Sequence, residues 1–418
     1  MDYFEIEGKN QLFGDIQISG AKNAVLPLMA ASILHNDTLT ISNTPNLSDS
    51  TTMANLLREM GSEVEFIDDK IHINSQSINM PYASYKLVKT MRASFYVLGP
   101  LLSKFGEAKV SLPGGCAWGP RPVDFHIEGM KKLGAKIDLE GGYIIAKSNR
   151  LVGNKIVLPK ISVGATGNIL MASVLAKGDT EIHNAAAEPE IQQLCHFLNS
   201  MGAKILDIGT NIIKIQGVDS LNNIDNIAVI PDRIEAGTFL IAAAATGGKI
   251  KLNNVNPMHL ETVISHLKKA NINLKVYDDS IVVSSGGKNI SACNMETNEY
   301  PGFPTDLQAQ WMLLMSLASE DSTIKENIYF DRFNHVLELN RLGCNIVVEK
   351  ESAFIKGRRN LVSADVMSTD IRASASLIIA ALCAEGCSTI SRIYHIDRGY
   401  DRIEEKLSKI GAKIVRKK

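Results

Sequence analysis

Apolar and polar positions alternate along this chain in a pattern that returns six times. Runs of nearly unbroken apolar residues open behind small residues: SGAKNAVLPLMAASIL, TMRASFYVLGPLL, VGATGNILMASVLAKG, EAGTFLIAAAATGG, TDLQAQWMLLMSLAS and TDIRASASLIIAALCAEG. A helix apolar on almost every face is buried on all sides, so these segments predict interior helices. A strand pattern follows them, as in DTLTISN, DTEIHN, GKIKLNN, STIKEN and CSTISR. An amphipathic helix then ends near Gly or Ala and leads into another strand. Its copies are LLREMGSEVEF, MKKLGAKIDL, FLNSMGAKIL, LKKANINLKV, LNRLGCNIVV and LSKIGAKIV. The period, about 70 residues, is that of a supersecondary unit and not of a whole domain. Each unit reads as helix, strand, helix, strand, with the second helix facing solvent, which predicts an α/β protein.

Six such units in 418 residues exceed one ordinary core and predict two domains of three units each. No Pro/Ser-rich linker separates them. The formal net charge of −1 argues against a nucleic-acid binder. The N-terminus, MDYFEIEGKN, lacks the basic start and apolar run of a secretion signal, and the apolar runs are far short of the roughly 20 residues of a membrane span. The six cysteines show no Cys-x-x-Cys or Cys/His spacing, which fits a reducing compartment and no structural zinc. Cys383 and Cys387, four apart, read as sharing one helix face in the core.

Several apolar helices begin with charged or polar residues: Lys22 and Asn23, Arg92, Asp306, and Asp370 with Arg372. Free N–H groups and the dipole make a helix start a site for anions. Thr305-Asp306 and Thr369-Asp370 have the plainer reading of N-caps, which satisfy the free N–H groups of the first turn. The segment Pro113 to Pro122 mixes Gly and Pro as loops do, and holds Cys116 five residues before Arg121. A guanidinium and free N–H groups near a thiol favour thiolate, which suits Cys116 to acid or nucleophilic work. An incidental loop cysteine is the other reading.

Taken in order, SGAKNA, KTMRAS, GGCAWGPRPVD, FPTDLQAQ, STDIRASASL and RIYHIDRGY resemble the UDP-N-acetylglucosamine enolpyruvyl transferases of peptidoglycan synthesis, from end to end of the chain. The resemblance implies a two-domain inside-out α/β barrel of six units. Its N-terminal domain would span 22–229, its C-terminal domain 1–21 and 230–418, with the active site in the cleft between them. It implies transfer of the enolpyruvyl group of phosphoenolpyruvate to the sugar 3′-hydroxyl by addition and elimination, without metal or cofactor. The implied partners are those two small molecules, with no nucleic acid, no membrane and no obligatory protein, and the implied location is the cytoplasm.

Residue by residue, Cys116 matches the general acid for C3 and the target of the epoxide phosphonate fosfomycin. Asp306 matches the carboxylate facing the 3′-hydroxyl. Lys22, Asn23, Arg121 and Arg398 match the phosphoenolpyruvate site, and Lys22 also counts with Cys116 and Asp306 among the implied catalytic residues. The nucleotide-sugar site is implied at Arg92, Arg121, Pro122, Val123, Asp124 and Phe125, at Lys160, Ile161, Ser162, Val163 and Gly164, and at Asp306 and Ile328. Arg332, Asp370 and Arg372 match other cleft positions. His126 reads as structural, and His395 is open. Trp118 and Pro120 stand where the resemblance leads one to expect smaller or aliphatic residues, and Pro120 restricts the backbone beside Gly119. Two rivals remain: 5-enolpyruvylshikimate-3-phosphate synthase, whose family lacks the cysteine loop, and a non-catalytic sugar-nucleotide sensor on the same fold.

Overall fold

The first repeat shows how the pattern becomes structure. Lys22–Ala31 forms a helix in which every residue but Asn23 is buried. The strand Thr38–Ser42 follows, then the amphipathic helix Ser48–Met60, which turns its Met53, Leu56, Leu57 and Met60 inward. Gly61, at φ +107°, closes that helix in the left-handed region that glycine enters without a Cβ penalty. The computed structural model from which this is taken describes residues 2–113, 123–286, 289–329 and 331–418.

Behind the second helix stands a hairpin and not the single strand that the repeat pattern predicts. Glu63–Ile67 pairs antiparallel with Lys70–Asn74, and Asp68 at the turn has φ +54°. Two-residue turns of this kind favour Asp and Asn, which tolerate positive φ. The Gly-Ala mark ends the helix, and only the first strand after it carries that mark. A short parallel strand, Asn226–Ala228, adds a fourth member on the far side of Thr38–Ser42. The described residues form six such four-stranded sheets in the same arrangement.

The chain divides into two compact units, Gly20–Ile230 and Met1–Ser19 with Pro231–Lys418, of three sheets each. The N-terminal strands belong to the second unit by pairing. Tyr3–Glu7 lies antiparallel between Cys387–Ser391 and Lys413–Lys417, and Phe13–Gln17 lies parallel to Lys249–Asn253. In the first unit, Asn226–Ala228 from the end of the segment completes the sheet begun by Thr38–Ser42.

Each unit has its own apolar core, built around the interior helices. In the second unit, Arg233–Thr246 touches both Gln308–Ser316 and Ala373–Cys383, and those two touch each other. Ile234 through Ala245 are all buried. The helices approach closely because Gly237 has no side chain: a Cβ there would collide with Leu307. Full burial of a Leu or Ile contributes roughly 1.5–3 kcal/mol, so three all-round apolar helices supply the main driving force of the unit. Trp311 is fully buried, against Phe303 and His266.

The second helices face solvent on one side, as Glu261–Lys269 does with Val263, Ile264 and Leu267 inward. Pro189–Ser200 is the exception, with both its apolar and several polar residues buried, because it lies between Lys22–Ala31 and Val163–Ser173. Cys383 and Cys387 share no helix face. Cys383 ends the helix Ala373–Cys383, and Cys387 is exposed at the start of a strand, because the chain turns extended at Ala384, where ψ is 162°. No helix among the described residues is long and apolar enough to cross a membrane.

Candidate active site

In the second unit, three interior helices begin beside an aspartate, and one of the three aspartates does different work from the other two. Asp232 Oδ1 accepts from the N–H groups of Ile234 and Glu235, at 2.7 and 3.0 Å. Asp370 Oδ1 accepts from those of Arg372 and Ala373, at 2.8 and 3.0 Å. Both are helix caps. Asp306 caps neither the turn Thr305–Leu307 nor the helix Gln308–Ser316. Its Oδ1 lies 2.9 Å from Arg332 Nη2, and its Oδ2 lies 3.5 Å from Arg372 Nε.

The two guanidiniums are themselves held. Arg332 Nη1 donates to Thr305 Oγ1 at 2.9 Å. Buried Arg372 donates from Nη1 to the Gly399 carbonyl at 3.2 Å, stands over the Tyr400 ring and has Asp232 Oδ2 at 3.9 Å. Burial raises the Asp306 pKa, but Arg332 and Arg372 more than reverse this and hold the carboxyl well below the usual carboxylate range. Burial likewise opposes the charge on Arg332, and Asp306 and Asp370 outweigh it. The result is an ionised carboxylate facing two fixed cations.

Arg398 ends the short helical turn Ile393–Arg398, one residue before the carbonyl that Arg372 engages. His395, on the same turn, has its pKa lowered by partial burial and then by Arg398. Ile328 sits in a turn whose N–H donates to Glu326.

In the first unit, Lys22 is the first residue of its interior helix and is buried, with Nζ 2.8 Å from Asp49 Oδ2. Asn23 follows it, half-buried. Arg92 opens the turn Arg92–Val97 that leads into Leu98–Phe105. Val123, Asp124 and Phe125 start the helix Asp124–Lys132. Ser162 caps Val163–Ser173 by accepting from Ala165 N–H, with Ile161, Val163 and Gly164 half-buried around it and Lys160 exposed.

His126 joins these two helix starts. Its Nδ1 is 3.0 Å from Asn168 Nδ2, and a side chain at Gly164 would press on its ring. Asn168 Oδ1 accepts from Gly99 N–H, so its Nδ2 is the donor and His126 Nδ1 the acceptor. Burial, helped by Arg92, lowers the His126 pKa to about 3, so the ring is neutral. Cys116, Arg121 and Pro122, with Trp118 and Pro120, lie outside the described residues.

Four further residues were not singled out by sequence: Asp49, Asn168, Asp232 and Glu326. Asp232 carried a usable signal, since Pro231-Asp232 precedes EAGTFL as Thr369-Asp370 precedes its own helix start. The others are ordinary polar residues in sequence and become notable only through what they touch.

The fold and the families it resembles agree. The sequence model of the EPSP synthase (3-phosphoshikimate 1-carboxyvinyltransferase) family matches residues 6–407. The enolpyruvyl transferase NikO from Streptomyces tendae superposes with a TM-score of 0.91 at 23% identity, over 99% of this chain and 98% of that one. EPSP synthase from Acinetobacter baumannii gives 0.76 at 19% identity, over 100% of both chains. These likenesses define the enolpyruvyl transferase fold, the two-domain inside-out α/β barrel. Sequence goes further. UDP-N-acetylglucosamine 1-carboxyvinyltransferase from Hydrogenovibrio crunogenus is 50% identical over 417 residues, covering 100% of both chains. Its counterpart from Chlorobium luteolum is 48% identical over 421 residues, covering 100% of this chain and 99% of that one. The chain belongs to the UDP-N-acetylglucosamine 1-carboxyvinyltransferases, within the EPSP synthase family.

Proposed function

We propose that this enzyme transfers the enolpyruvyl group of phosphoenolpyruvate to the 3′-hydroxyl of UDP-N-acetylglucosamine and releases phosphate, the first committed step of peptidoglycan synthesis, in the cytoplasm. The observation that carries the reading is identity near one half, from end to end, with transferases of that name. The rival synthase from Acinetobacter baumannii is only 19% identical. A silent sensor would have no use for a carboxylate kept ionised by two arginines.

In this reading the 3′-oxygen bonds to C2 of phosphoenolpyruvate as C3 takes a proton, giving a tetrahedral ketal. The C2–O bond to phosphate then breaks and C3 returns a proton. Cys116 supplies the C3 proton and Asp306 receives that of the 3′-hydroxyl. Lys22, Asn23, Arg121 and Arg398 hold phosphoenolpyruvate. Arg92, Arg121 through Phe125, Lys160 through Gly164 and Ile328 hold the nucleotide sugar. Arg332, Asp370 and Arg372 complete the charged surroundings. Asp306 is a weak base while Arg332 and Arg372 both face it. An anionic substrate that draws on those guanidiniums raises its basicity at the moment it is needed.

Phosphate release in the presence of phosphoenolpyruvate and either acceptor tests the reading. Release with UDP-N-acetylglucosamine and none with shikimate 3-phosphate is expected. The reverse pattern would assign the sibling synthase.

A further inference from the structure

We propose that Glu326 is the positioning residue of the acceptor site, fixing both the Asp306–Arg332 pair and the Ile328 turn through opposite oxygens of one buried carboxylate. The inference rests on the reading of Asp306 and Ile328 as acceptor-binding residues.

Glu326 follows the strand Ser322–Lys325 and is fully buried. Its Oε1 accepts from Ile328 N–H at 2.9 Å, Tyr329 N–H at 3.0 Å and the Thr297 hydroxyl at 2.8 Å. Those bonds close the turn that carries Ile328. Its Oε2 accepts from the Thr305 hydroxyl at 2.9 Å. A hydroxyl has one proton to give. Thr305 gives it to Glu326, so its lone pairs face Arg332 Nη1, which donates at 2.9 Å. The other end of the same guanidinium, Nη2, meets Asp306 Oδ1. The sequence Glu326, Thr305, Arg332, Asp306 is thus polarised in one direction throughout. A carboxylate is required because both oxygens must be acceptors. Closing the turn alone would need only one.

Glu326→Gln separates the two tasks. With its amide oxygen toward the turn, its NH2 faces Thr305 Oγ1, so the Thr305 hydroxyl loses the acceptor of its one proton and that proton competes with Arg332 Nη1, while the turn survives. Thr305→Val removes the relay hydroxyl, Thr305→Ser restores it, and Thr297→Val touches only the turn side. With UDP-N-acetylglucosamine and phosphoenolpyruvate, Glu326→Gln and Thr305→Val should each lower kcat about tenfold or more, as small misplacements near reacting atoms do. They should also raise KM for the nucleotide sugar and not for phosphoenolpyruvate, and move the acid limb of kcat/KM to higher pH. Thr305→Ser should recover most activity, the double variant should be no worse than Thr305→Val, and Thr297→Val should lower Tm with kcat within about twofold. Crystal structures of Glu326→Gln and Thr305→Val should show Arg332 withdrawn from Asp306. Arg332 unmoved in both crystals overturns the inference, as do unchanged kinetics or multiplying effects in an active enzyme. A wild-type enzyme that makes no product overturns the proposed function instead, and the crystals still decide the positioning.

Discussion

Arg332 Nη2 sits 2.9 Å from Asp306 Oδ1, and that pairing replaces the helix cap that the Thr-Asp sequence suggests. Asn caps a helix about as well as Asp, so a cap would tolerate Asp306→Asn. An ion pair will not. The substitution leaves two guanidiniums facing a neutral amide and should cost on the order of 2 kcal/mol, with kcat falling by about a hundredfold or more. The Asp306 pKa is depressed on folding, so its stabilisation is complete above the unfolded value of about 3.9 and is lost as pH falls through the folded value. The stability gap between wild type and variant should be flat above about pH 5 and close in acid. Denaturation of both proteins at several pH values checks this. A variant of wild-type stability and turnover would return Asp306 to a cap.

His126 has the same sign but acts in a window at higher pH. Its folded pKa of about 3 lies below the unfolded value of about 6.5, so the unfolded chain binds a proton between these limits. Stability is full above about pH 6.5 and declines as pH drops toward 3. His126→Gln should reduce the slope of stability against pH in that window by up to about 1.4 kcal/mol per pH unit. Denaturant midpoints between pH 4.5 and 7.5 supply the measurement. An unchanged slope would mean that the ring titrates normally in the folded protein.

Asp49 lies against Lys22 at 2.8 Å with both side chains buried. Asp49→Asn removes the charge that favours the Lys22 ammonium and its fixed position. We expect kcat/KM for phosphoenolpyruvate to fall about tenfold or more, in line with a lost charged hydrogen bond, with little change in binding of the nucleotide sugar. Steady-state kinetics with each substrate varied in turn, and calorimetry with the sugar, separate the two. Equal loss for both ligands would point to general damage instead.

The cysteines other than Cys116 differ sharply in reach. Burial pushes the thiols of Cys195 and Cys383 up to about 12 and that of Cys344 to about 11, which keeps them protonated and inert. Cys387 is exposed and serves as an internal control. Fosfomycin should label Cys116, faster with UDP-N-acetylglucosamine present, and peptide mapping reads the position. An adduct on Cys387 in its place would remove Cys116 from the chemistry.

Much of this architecture is visible in the residues themselves. The interior helices announce themselves because Phe239 to Ala245 and Ala375 to Leu382 are apolar on every face, which no solvent-facing helix tolerates. The second strand of each hairpin is not announced. KIHIN at Lys70–Asn74 is five residues of ordinary alternation, and its place is set by antiparallel partners on both sides. The charged helix starts were legible as a group, but not their division of labour. Asp370 caps and Asp306 does not, because Arg332 arrives from a segment about 26 residues away in sequence. Glu326 was invisible for the same reason, since all that distinguishes it is four donors brought together by folding.

The most direct test of the central claim is the mass of the product. Incubation with UDP-N-acetylglucosamine and phosphoenolpyruvate should yield the nucleotide sugar with one carboxyvinyl group in place of one hydrogen, and one phosphate released for each product formed. Fragmentation should place the new ether on the sugar 3′-oxygen. Unmodified nucleotide sugar beside consumed phosphoenolpyruvate, or an enolpyruvyl ether formed only when shikimate 3-phosphate is the acceptor, would contradict the account.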